Sequence, residues 1–209
     1  MNWANTIMKV LEKIMFIVLL NILWLLGTAL GLFIIGVAPA TASLYKLLNE
    51  KELFEERSEI KIIISSFFRN YKKLFIASNM TFVGYLILFY LLVVDYNIIK
   101  NIDVAYSLFR IPLFIVALYT IGTLIFFIPV SLFSVGNVKQ KVRLIFMTPL
   151  LMPITNIVNL VVLSSLVLFS FLYPLGGILA FVSIGTLTIS FISMKALKKK
   201  KLLVEVNTI

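Results

Sequence analysis

The chain contains neither cysteine nor histidine. Disulfides, thiolate nucleophiles and Cys-based zinc or iron–sulfur sites are therefore excluded, and so are the commonest metal ligand and the commonest general acid–base. What remains for chemistry is nine Asp and Glu, with hydroxyls and amides. They offer no recognisable set of nucleophile, base and orienting group. No Gly-rich phosphate loop closed by Lys and Ser or Thr is present, which removes nucleotide hydrolysis by that route. No catalytic, cofactor-binding or metal-binding residue is assigned, and the protein is expected not to be an enzyme.

The elements that would have to position any site are apolar. The chain is 61% hydrophobic and 13% charged with a mean hydropathy of +1.08, where a soluble domain is about 45–50% apolar and about 25% charged. The net charge of +10 in a soluble protein would point to nucleic acid. Here the cations flank apolar runs, so the anionic inner leaflet of a bilayer is the expected partner and nucleic acid is not.

Four windows lack Lys, Arg, Asp and Glu: residues 14–45, 74–94, 111–138 and 144–194. About 18 such residues make a spanning candidate. The last window would be about 77 Å as one helix against a hydrocarbon core of about 30 Å, so it holds two spans. Tyr173-Pro174-Leu175-Gly176-Gly177 supplies the break. The first window is too long for a signal-peptide core and is read as a span that kinks or leaves the bilayer near Gly36 and Pro39. The fold expected is all-α: one polytopic transmembrane helical bundle of about five spans, at 14–36, 74–94, 111–133, 155–173 and 176–194.

The connection 46–73 carries Glu50, Glu52, Glu55, Glu56 and Glu59, then Ile60, Ile63, Ile64, Phe67, Phe68 and Tyr71 at helical spacing. The spacing predicts a short amphipathic cytoplasmic helix on the inner leaflet, with Phe67, Phe68, Arg69, Lys72 and Lys73 as its membrane-surface residues. The glutamates are read as a solvated loop. A second short helix is predicted at 139–152.

Of the 19 Lys and Arg, fifteen fall on the side holding the 46–73 connection and the C-terminus, and four on the other. The positive-inside rule makes the fifteen-cation side cytoplasmic, with the N-terminus outside. Lys9 and Lys13 run against that bias, a conflict that a re-entrant hairpin in the first window would remove.

Within the spans, Gly27-x-x-x-Gly31 is a close-approach pattern, and Gly27, Gly31 and Asn21 are helix-packing candidates. Asn21, Asn79, Asn156 and Asn159 need partners in hydrocarbon, either across helices or along a substrate path. The spans lack ionisable groups, against a proton-coupled carrier or an intramembrane protease.

Asn21-Ile22-Leu23-Trp24-Leu25-Leu26, then Gly36 and Ala38-Pro39-Ala40-Thr41-Ala42-Ser43-Leu44-Tyr45, resemble the YesL-like family of uncharacterised bacterial integral membrane proteins. Phe67-Phe68-Arg69-Asn70-Tyr71-Lys72 is similar to that family's basic-aromatic segment before the second span. Val37-Ala38 stands where the family usually places Gly beside Pro. The resemblance implies a multi-pass protein of the bacterial cell membrane. Genes of the family often lie beside ABC-type carbohydrate uptake systems and sensor kinases, which implies an accessory or regulatory role in carbohydrate uptake with such components as partners. The other function open to the sequence is a small transport component, a substrate-binding subunit or facilitator, using backbone at the breaks near Pro39, Pro149, Pro153 and Pro174.

Overall fold

The computed structural model describes residues 3–49, 60–134, 136–200 and 202. The five glutamates from Glu50 to Glu59 lie outside the described residues. Among those described there are seven helices and no strand: α1 (Trp3–Leu30), α2 (Ile34–Leu48), α3 (Ile60–Ile99), α4 (Asp103–Phe133), α5 (Val138–Leu151), α6 (Pro153–Leu172) and α7 (Pro174–Lys199). Five of them are long and apolar enough to cross a membrane: α1 over Val10–Leu30, α3, α4, α6, and α7 over Phe181–Lys199. The protein is therefore an all-α multi-pass membrane protein by length and composition.

Proline sets two of the helix boundaries. A residue before proline is pushed out of the α region, whereas proline itself fits the first turn, where its missing N–H is not needed. Met152 (φ −134, ψ 58) accordingly separates α5 from α6, and Tyr173 separates α6 from α7. The expected break at Tyr173-Pro174 is where the helices part. The predicted 139–152 segment is α5, whose start is held by Gln140, whose Oε1 accepts from the backbone N–H of Asn137 at 3.0 Å.

The first window departs from the expected single span. α1 stops at Leu30, the chain turns through Leu32 (φ 52) and Phe33 (φ 64), and α2 runs back along α1. Their antiparallel register follows from two contacts. Trp24 Nε1 donates to Thr41 Oγ1 at 3.0 Å, and a Cβ placed on Gly27 would lie 3.3 Å from Ala40 Cβ. Pro39 sits inside α2 without breaking it. The reversal is therefore made at Gly31 to Phe33, upstream of the expected Gly36–Pro39 bend.

The amphipathic segment also differs from expectation. It is continuous with the second span in the one helix α3. Apart from Ile60, which is exposed, its apolar face packs on protein: Ile63 and Phe67 join Leu20 and Leu23 of α1 and Ala40, Leu44 and Leu47 of α2 in one core, with Val182 of α7 packed against it. The opposite face of the segment, with Lys61, Arg69, Lys72 and Lys73, is exposed.

Two compact units are resolved. One is built from Met1–Ile76 with Val161–Ile192, the other from Ala77–Leu160 with Ser193–Ile209. The second unit has its own core of Tyr85, Phe126, Phe127, Val130, Ile145, Met152 and Leu197. Within it α5 is tied to α4 by Lys141 Nζ donating to Ser131 O at 2.9 Å and by the Tyr119 hydroxyl donating to Phe146 O.

Candidate functional site

In hydrocarbon a polar group without a partner costs several kcal/mol, so the placement of amides and hydroxyls shows where a membrane protein has invested structure. In the first unit these groups form a seam. Asn21 on α1 is 1% exposed, and its Oδ1 accepts from the Ser183 backbone N–H of α7 at 3.1 Å and from the Ser183 hydroxyl at 3.3 Å. Asn49, at the end of α2, donates to Ser190 Oγ and to Tyr45 O, each at 2.8 Å. Tyr71 on α3 donates its hydroxyl to Gly27 O of α1 at 2.8 Å. Every one of these bonds joins neighbouring helices or closes a helix end.

The predicted packing residues fall along this seam. A Cβ on Gly27 would meet Phe67 Cε1 at 3.2 Å, so α3 and α2 press on α1 from two sides at that position. Gly31 approaches Gly36 of α2 so closely that a Cβ on it would lie 2.3 Å from Gly36 Cα. The glycine pattern thus joins the two arms of the α1–α2 hairpin at one position and adds α3 at the other.

The predicted membrane-surface residues divide. Phe67 is 0% exposed and stacks between the edge of Phe68, with centroids 5.4 Å apart, and Tyr71 at 6.4 Å. It belongs to the protein interior, a correction to its expected place in lipid. The cause is that α1 and α2 supply an apolar groove for that face before lipid can. Phe68 is half-buried at the edge of the same core, whereas Arg69, Lys72 and Lys73 are exposed. Arg69 reaches Ser66 Oγ at 3.4 Å, on the rim of a shallow recess of about 310 Å³ that Lys61, Ile62 and Ser65 also line.

In the second unit the amides sit on α6. Asn159 is fully buried and donates through Nδ2 to Ser193 Oγ of α7 at 3.0 Å. Asn156 lies against α4 at Gly122, where a Cβ would come within 2.5 Å of its amide. The Oδ1 atoms of both asparagines, and Nδ2 of Asn79 on α3, are buried with no hydrogen-bond partner among the described residues.

Sequence reasoning missed Ser183, Ser190 and Ser193, yet their signal was present. Steps of seven and three residues put all three hydroxyls on one face of α7. Trp24 and Thr41 stand in the two family-like blocks of the sequence, and nothing in either block marks them as a bonded pair. Many other hydroxyls in these helices bond the carbonyl four residues back, as Thr28 does to Trp24 O (2.7 Å), Ser43 to Pro39 O (2.7 Å) and Thr148 to Leu144 O (2.6 Å). Such groups are satisfied within their own helix. Among the described residues no group of three or more Asp and Glu could hold a metal ion.

Residues 17–96 match the family described as "Protein of unknown function, DUF624". The match takes in the second half of α1, all of α2, and α3 almost to its end. No curated protein and no solved structure matches the chain.

Proposed function

We propose that the protein is a non-enzymatic accessory component of the bacterial cell membrane, working through helix contacts with other membrane proteins in carbohydrate uptake or its regulation. The observation that carries this reading is the seam of the first unit, where Asn21, Trp24, Asn49 and Tyr71 hold helices to one another. Their bonds build a scaffold rather than a ligand pocket. The YesL-like resemblance over the same part of the chain gives the reading its direction, with ABC-type uptake components or a sensor kinase as partners. The cations at Lys195 and Lys198 to Lys200 would set the end of α7 against an anionic cytoplasmic leaflet. Affinity purification from membranes in mild detergent tests the reading. An uptake permease or a sensor kinase recovered in amounts comparable to the protein is expected, and recovery of the protein alone refutes it.

A small transport component is the second reading, favoured by the buried amide oxygens of Asn156 and Asn159 that have no partner among the described residues. They would serve an uncharged, hydroxyl-rich solute as acceptors. Solute flux into vesicles holding the purified protein, abolished by Asn159→Leu, separates it from the first reading.

A further inference from the structure

α1 and α2 carry a feature that a simple span would not need. The reversal between them presents Leu30, Leu32, Phe33, Ile34 and Ile35 to the surroundings, with Leu32 80% and Phe33 67% exposed. A turn that emerged into water would normally be built from polar residues and Gly, Pro, Asn or Asp. This one has no polar side chain between Thr28 and Thr41.

The backbone of the turn is also self-sufficient. The N–H of Gly31 bonds Gly27 O and Thr28 O, Leu32 bonds Ala29 O, Phe33 bonds Thr28 O, Ile34 bonds Leu32 O, and Ile35 and Gly36 both bond Gly31 O. Irregular backbone survives at membrane depth only where its polar groups are satisfied by the protein or by a water-filled cavity. Here the donors of the turn are satisfied within the chain, at 2.8–3.3 Å.

Length gives a third, independent argument. From the turn back to the first charged residue, α1 supplies the apolar stretch 14–30 and α2 the stretch 34–45. At 1.5 Å per residue these are about 25 Å and about 18 Å, both short of the hydrocarbon core of about 30 Å. With Lys13 and Lys46 at one interface, the turn ends inside the core.

We infer that α1 and α2 form a re-entrant hairpin whose apolar turn is embedded in lipid acyl chains, so that the start of α1 and the end of α7 lie on the same, cytoplasmic face. Four crossings remain, through α3, α4, α6 and α7. Lys9 and Lys13, which oppose the charge bias if α1 crosses completely, now obey it.

The absence of cysteine makes single-cysteine labelling a clean test on the full chain. Cysteines are placed at exposed positions: Met8→Cys, Asn101→Cys, Lys198→Cys and, in the turn, Phe33→Cys with Ile34→Cys as a second variant should the first misfold. An impermeant maleimide is applied to vesicles of each orientation. Met8→Cys is expected to label from the same side as Lys198→Cys, and Asn101→Cys from the other. The turn cysteines are expected to label from neither side, yet to take a membrane-permeant bimane whose fluorescence is quenched by phospholipid carrying a spin label midway along its acyl chain. Labelling of Met8→Cys from the Asn101 side, labelling of a turn cysteine from that side, or absence of quenching overturns the inference.

Discussion

Adding a single methyl group to each of three glycines tests the packing around α1 most directly, because the three sites differ in what that methyl meets. At Gly84 there is nothing within 4 Å, so Gly84→Ala adds only helix propensity, a gain of up to about 1 kcal/mol. At Gly27 the nearest atoms are Phe67 Cε1 at 3.2 Å and Ala40 Cβ at 3.3 Å. Both are side-chain atoms a few tenths of an ångström too close, so the propensity gain and the crowding offset and Gly27→Ala should fall within about 1 kcal/mol of wild type. At Gly31 the obstacles are Gly36 Cα and N, each at 2.3 Å, against an optimum of about 3.5–4.0 Å between non-bonded carbons. Backbone blocks it, so the hairpin arms must part by more than about 1 Å, which costs about 1–3 kcal/mol as overpacking. Parting them also strains the bonds of Ile35 N–H and Gly36 N–H to Gly31 O, both 3.1 Å, so the loss should reach the upper end of that range. At about 2–4 °C per kcal/mol for a chain of this size, Gly31→Ala should lower the apparent melting temperature by about 6 °C or more. Thermal unfolding in one detergent, followed by loss of the monodisperse peak, gives the order Gly84→Ala above Gly27→Ala above Gly31→Ala. A Gly31→Ala protein as stable as Gly84→Ala would refute the close approach of α1 and α2.

Trp24→Phe and Thr41→Val each remove one half of the bond that sets the hairpin register, and a double-mutant cycle in detergent should give a coupling of about 0.6–1.7 kcal/mol; additive effects would mean the pair does not interact. Phe67→Ala removes a fully buried ring and should destabilise by about 3–5 kcal/mol, whereas Lys72→Glu with Lys73→Glu changes exposed side chains and should leave unfolding within about 1 kcal/mol. Equal stability losses in the two variants, measured on the same melting scale, would mean that the helix face is assigned the wrong way round.

How far the sequence disclosed all this differs from element to element, for physical reasons. The spans and the two proline breaks were readable because hydropathy and the missing proline N–H act locally. The hairpin was legible only as an alternative, through the charge conflict at Lys9 and Lys13. Its position was not, because the turn is made by Leu32 and Phe33 in left-handed backbone, and neither residue type announces a turn. Periodicity correctly grouped Ile63, Phe67 and Tyr71 on one face of α3. It could not say whether lipid or protein covers that face, since both are apolar. The spacing of Ser183, Ser190 and Ser193 marks one face of α7, yet a hydroxyl bonded to its own helix and one bonded across helices look alike in sequence.

The difference between those two kinds of hydroxyl also fixes an order in time. A helix whose Thr and Ser bond their own carbonyls can enter lipid alone, as soon as it leaves the ribosome, with nothing owed to later segments. The Asn21–Ser183 bond cannot, because its partners are 162 residues apart in the chain. At about 5–20 residues per second, translation separates them by about 8–30 s. The α7 bonds of the seam, Asn21 to Ser183 and Asn49 to Ser190, are therefore late events, made only when the last helix arrives. A chain truncated before Ser183 should insert its early helices and hold α1 to α2 and α3, yet leave the Asn21 amide without its α7 partner and open to quality control for as long as synthesis is stalled.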